Sequence, residues 1–130
     1  MDIYYQNCRS LKSKLLNFKL NALHYDYDLI CLTETWFDNS FKNNELIDDR
    51  YYIIRHDRNF NITNKVDGGG VAIYIKKYII FSEMDGIDDI FENIWVEIKM
   101  ENGKYLSDYI FLQILVNLNT MKHFVRNFLI

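Results

Sequence analysis

The run Leu29-Ile30-Cys31-Leu32-Thr33 constrains this chain more than any other stretch. It is too short for a buried helix and lacks the alternation of a half-exposed strand, so it reads as a strand covered on both faces. Such a strand needs a layer above it and another below. The residues before it supply candidates. Ile3-Tyr4-Tyr5-Gln6-Asn7-Cys8 is rich in β-formers and ends at the polar pair Arg9-Ser10, where Ser10 suits a helix N-cap. From Leu11 the apolar residues take helical spacing: Leu11, Leu15, Phe18 and Ala22 form a stripe that Leu16, Leu20 and Leu23 widen, while Lys12, Lys14, Lys19 and Asn21 are left to solvent. Strand, helix and strand together predict a β-α-β unit with its two strands parallel.

Further strands follow at wider spacing. Residues 38–50 are polar and irregular, Tyr51 to Arg55 reads as a strand, and a second polar loop runs from His56 to Asp67. Loops of that length in a compact domain tend to carry site residues at strand ends. Gly68-Gly69-Gly70 leads into the apolar Val71 to Ile75, and Ile94 to Met100 alternates with the period of two of a half-buried strand. Asn102-Gly103 signals a hairpin through a type I′ turn, so Lys104 onward pairs back on 94–100. From Tyr109 to Ile130 the chain is apolar, with a helical pattern around Met121 to Phe128.

Composition narrows the class. With 49% hydrophobic and 25% charged residues in 130, the chain has the profile of one soluble globular domain. A formal net charge of −3 denies it the general basic field of a non-specific nucleic-acid binder, so any nucleic-acid contact is local. The start has no basic stretch of a signal peptide, and charges interrupt every apolar run before the roughly 18 residues of a membrane span, which implies a cytoplasmic or nuclear rather than secreted protein. Cys8 and Cys31 sit inside apolar strand-like segments and read as buried, reduced thiols.

The order of elements points to chemistry at one place. In a sheet with parallel strands the carboxyl ends gather at one edge, and ligands bind there. Asn7 ends the first strand and Glu34 follows the second. An amide oxygen and a carboxylate are hard ligands suited to Mg²⁺, which is commonly held by one or two carboxylates and several waters. The plainer reading of Glu34, a solvated carboxylate at a strand end, stands beside this one. The glycine triplet has no following Lys-Ser/Thr and opens no helix, which favours a tight backbone entry into a strand over a phosphate cradle. Arg9, Arg55 and Arg58 could form a basic rim for a DNA backbone, or pair with Asp57 at the surface.

Five separated blocks, YYQNCRSLKSKL, DYDLICLTETWF, YYIIRHDRN, GGGVAIYIKK and IWVEIK, resemble the endonuclease/exonuclease/phosphatase superfamily in order and spacing. Among its branches they are most similar to the apurinic-endonuclease-like domain at the start of jockey-type non-LTR retrotransposon polyproteins, which continue into a reverse transcriptase. The likeness runs from residue 3 to about 106. It implies an α/β fold with mixed sheets, the N-terminal part of a four-layer α/β/β/α sandwich, and a Mg²⁺-dependent DNA endonuclease that hydrolyses phosphodiesters. It assigns Asn7 to the active-site asparagine, Glu34 to the glutamate that holds the ion, and Trp36 to loop packing.

Beyond about Tyr105 the family pattern lapses. Alignment on Asn117-Leu118-Asn119-Thr120 puts Phe111 where the family has a tyrosine, and Gln113 and Ile114 where it has prolines, in a chain with no proline at all. A phenylalanine cannot donate the tyrosine's hydrogen bond. The G-D-x-N block is missing, and Ser107-Asp108 is followed by Tyr109 rather than histidine. The expectation is therefore a partial domain over 1–130, diverged across 107–130 as a frame disruption in a decaying transposon copy would leave it, and inactive. Such a chain would supply mainly one sheet, whose uncovered inner face would favour self-association. The alternative is a non-catalytic α/β protein-interaction module.

Overall fold

The structure is a computed structural model that describes residues 1–59, 68–84, 92–102, 106–115 and 120–126. The expected β-α-β unit opens it: β1 (Ile3–Asn7), α1 (Leu15–Tyr25) and β2 (Leu29–Thr33), with β1 parallel to β2 in the register Asn7↔Thr33. After the one-turn helix α2 (Asn43–Leu46) come β3 (Tyr51–His56) and β4 (Val71–Lys76). The first sheet has the order β1-β2-β4-β3, and β4 runs antiparallel to both β2 and β3. It is therefore a mixed sheet with β2 and β4 at its centre.

The two-faced run behaves as its composition demands. Ile30 and Leu32 point to the helix side, where Leu11, Phe18 and Ala22 of the α1 segment and Ala72 and Tyr74 of β4 form one buried cluster. Leu29 and Cys31 point the other way, into a second cluster with Val71, Ile73 and Ile75. That second cluster is closed by Ile94, Val96 and Ile98 of another sheet, β5 (Ile80–Met84), β6 (Asn93–Asn102), β7 (Leu106–Leu115) and β8 (Thr120–Arg126), all antiparallel in that order. The fold is thus the expected mixed α/β sandwich, with helix, sheet and sheet as its layers. No helix among the described residues is long and apolar enough to cross a membrane.

Four expectations are corrected. The inner face of the first sheet is covered rather than bare: Ile94, Val96 and Ile98 of β6 pack on it, and β6 is flanked by β7 and by β5, whose pattern of Ile80 and Phe81 followed by Ser82 and Glu83 gives little sign of itself. Of the helix expected around Met121 to Phe128, the described part is a strand: Thr120–Arg126 pairs with β7, whose edge satisfies its backbone, whereas an isolated helix of that length is marginal, and the rest lies outside the described residues. Ser10 does not cap α1. It has φ +73° and donates its N–H to the Glu34 carbonyl, and the helix starts after a 3₁₀ turn over Lys12–Lys14 with no side-chain cap. Finally, Leu16, Leu20 and Leu23 do not widen the buried stripe. A helix lying on a sheet hides one face only, and these three remain 71%, 55% and 53% exposed.

The hairpin between β6 and β7 forms with Asn102 opposite Leu106, and the turn itself lies outside the described residues. Cys8 and Cys31 are buried free thiols, and burial pushes them up to about 11 and about 12, where they are inert.

Candidate metal and phosphate site

Strand directions gather many chain ends at one edge. The carboxyl ends of β1, β2 and β3 meet there, and so does the amino end of the antiparallel β4. The second sheet brings two more: Glu92, just before β6, reaches Arg58 after β3, and Glu83 near the end of β5 lies 3.3 Å from His56. Asn7 and Glu34 thus stand at the same edge on neighbouring strands. By strand alternation Asn7 shares the face of Ile3 and Tyr5, which turn toward the second sheet.

The main chain beyond β2 is held on both sides. Ser10 and Leu11 donate N–H groups to the carbonyls of Glu34 and Thr35 at 2.9 and 3.0 Å. Trp36 donates its N–H to the Gly69 carbonyl at 3.0 Å. Bound in this way, Glu34 and Trp36 adopt φ of +55° and +59°, a left-handed conformation that costs each about 1–2 kcal/mol. Strain of this order persists where surrounding contacts over-determine it, as they do here.

The Glu34 carboxylate is fixed as firmly as its backbone. Its Oε2 accepts from the Trp36 indole N–H and from the Gly69 backbone N–H, each at 2.9 Å. Its Oε1 accepts no hydrogen bond from the described residues, so the half-buried side chain presents one oxygen at the edge. The glycine triplet makes this possible. Gly68, Gly69 and Gly70 all have positive φ, and a methyl group at Gly69 would fall 2.3–2.5 Å from atoms of the Arg58 guanidinium. The triplet makes the tight backbone entry into β4 that was expected, and beyond that expectation it passes as a strap beneath Arg58.

The arginines divide. Arg58 is pinned by Glu92, with Nε donating at 2.7 Å and Nη2 at 3.4 Å, and its side chain is 8% exposed. That hydrogen bonding holds its guanidinium above its ordinary value. Arg55 lies 3.1 Å from Asp57 and donates to the carbonyls of Asp38 and Phe41. Both are engaged internally: Arg55 pairs with Asp57, as the second reading had it, though mostly buried and not at the surface, whereas Arg58 pairs with Glu92, which the sequence reading did not include. Arg9 is exposed, with φ +45°.

A Mg²⁺ ion at this edge would meet oxygen donors of the right hardness, Glu34 Oε1 and the amide of Asn7, and would keep most of its shell as water. Among the described residues no group of three or more His, Cys, Asp or Glu side chains converges to hold a metal. Asn7 and Glu34 by themselves offer two oxygen donors, a set that suits an ion keeping most of its waters. Sequence reasoning singled out Asn7 and Glu34 but not the roles of Trp36, Gly69 and Glu92 around them. The one local clue was a tryptophan two residues beyond the glutamate.

The model of the Endonuclease/Exonuclease/phosphatase family matches residues 5–115. No curated protein matches the chain.

Proposed function

The chain belongs to the endonuclease/exonuclease/phosphatase family, and we propose that it carries the ion-holding part of a Mg²⁺-dependent DNA endonuclease site derived from a jockey-type non-LTR retrotransposon. The observation that carries this reading is the Glu34 carboxylate, with Oε2 held by two donors and Oε1 accepting no hydrogen bond from the described residues. Members of this family generally use divalent metals. When bound, such an ion supplies positive charge that polarises a phosphoryl oxygen and stabilises a leaving alkoxide. Glu34 Oε1 would hold it, and Asn7 would orient its water or the phosphate. Trp36 and Gly69 keep the carboxylate in one rotamer, so little freedom remains to be lost on binding. Arg9 is the exposed candidate for a DNA backbone contact.

Turnover by this stretch of chain is feeble or nil in our reading, because Phe111 stands where the resemblance calls for a tyrosine hydroxyl. Incubation with supercoiled plasmid and Mg²⁺ tests the activity, and Mn²⁺ titration followed by electron paramagnetic resonance tests the site. Weak Mn²⁺ binding that disappears in Glu34→Ala, with nicking near background in both proteins, is the expected result. Mn²⁺ binding untouched by that substitution, or strong nicking that survives it, defeats the proposal. A reverse-transcriptase frame in the flanking DNA is expected from the retrotransposon origin.

A second reading, a non-catalytic interaction module that self-associates, draws support from another place. With the inner sheet face covered, the exposed Leu16, Leu20 and Leu23 of α1 form the apolar stripe it would use.

A further inference from the structure

We infer that Arg58, clamped by Glu92, is the positioning residue for Glu34: the second sheet sets the aim of the carboxylate through a guanidinium and a glycine strap. The inference deepens the proposed ion site and rests on it for one of its two readouts. Contact runs unbroken from Glu92 to Glu34. Glu92, whose side chain is 11% exposed, precedes β6 and binds Arg58 through Nε and Nη2. The guanidinium lies across Gly69 so closely that only a glycine fits beneath it, and a methyl group at Gly68 would fall 3.1 Å from Nη1 and 3.6 Å from Glu34 Oε2. Pressed in this way, the strap directs the Gly69 N–H at Glu34 Oε2, and the Gly69 carbonyl accepts from the Trp36 N–H. Trp36 in turn donates its indole N–H to the same Oε2.

The chemistry explains the residue type. A planar fork can bind a carboxylate through two nitrogens and still lie flat on a peptide, whereas a lysine ammonium offers a point charge on a flexible stem. The almost complete burial of Arg58 removes it from the set of groups that a DNA backbone would reach first. Its positive charge instead sits among Glu34, Glu92 and the strap.

Trp36 reports on this arrangement once the second tryptophan is removed by Trp95→Phe. In that background Arg58→Gln/Glu92→Gln deletes both charges together and leaves neither carboxylate nor guanidinium buried alone. The expected result is a Trp36 emission maximum displaced toward that of Glu34→Gln, and Mn²⁺ affinity lowered roughly tenfold, the size usual for loss of an outer support to a metal ligand. Far-UV circular dichroism and the melting temperature should stay close to those of the parent. A folded double variant with unchanged Trp36 emission and unchanged Mn²⁺ affinity overturns the inference. If the parent binds no Mn²⁺, the ion-site reading falls while the emission arm still decides the role of Arg58. If the double variant fails to fold, Arg58→Lys, which keeps the charge and loses the fork, decides it by the same emission shift.

Discussion

The inter-sheet core can be tested where the structure departs most from a one-sheet expectation. Ile73 of β4 and Val96 of β6 belong to different sheets, are both 0% exposed, and share the cluster closed by Ile94 and Ile98. Ile73→Ala removes three carbons, worth ~2.4 kcal/mol at ~0.8 per methylene. Central strands flanked on both sides relax poorly, so the cavity left behind raises the cost to ~3–4 kcal/mol. Val96→Ala removes two carbons and by the same reasoning costs ~2 kcal/mol. If the two side chains pack across the same gap, the second truncation enlarges a space already open, and the pair should fall short of additivity by ~1 kcal/mol. Urea unfolding followed by circular dichroism measures all four corners of the cycle, in sulfate-containing buffer so that the doubly truncated protein stays folded. Additivity within ~0.3 kcal/mol would show that the sheets share no core at this point, and the reasoning that places β6 on the first sheet would be refuted.

Two further outcomes follow from other parts of the molecule. Hydrogen bonds from Arg50, at 2.9 Å to each Asp48 oxygen, hold the Asp48 carboxyl below its ordinary value of 3.8, outweighing its desolvation. A lowered folded-state value gives stability that is present above about pH 3.8 and lost as pH falls through the folded value, so Asp48→Asn should flatten the acid limb of melting temperature against pH, and an unchanged limb would count against the pairing. On α1, Leu16→Lys/Leu20→Lys removes apolar surface that is already exposed and should shift stability by no more than ~0.5 kcal/mol for each site, while abolishing any self-association seen by sedimentation equilibrium; a large loss of stability would mean that these leucines are buried.

The legibility of this chain divides along the distance between interacting residues. The run from Leu29 to Thr33 announced burial on both faces, because a five-residue apolar segment carries that information in its own composition. The parallel pairing of β1 with β2 followed from the helix between them, and with it came the common edge of Asn7 and Glu34. Local periodicity also found β3, β4 and β6. It misled at Leu16, Leu20 and Leu23, where helical spacing was right and the covering layer was not there. It also misled at Thr120–Arg126, where pairing with β7 decided the conformation.

The site shows the same division. What was readable was local: Glu34 follows directly on a rigid strand, and the glycine triplet makes a tight entry into the next. What surrounds the carboxylate was not: the N–H of Gly69 arrives from 35 residues away, and the Arg58–Glu92 pair spans 34. The sequence by itself determined that β1 to β4 and β6 would be strands and which residue types would stand at their ends, because those properties depend on neighbours along the chain. Only the tertiary structure decided that a second sheet closes over the first and aims Glu34 through Arg58, because hydrogen-bond partners and cover are chosen by proximity in space.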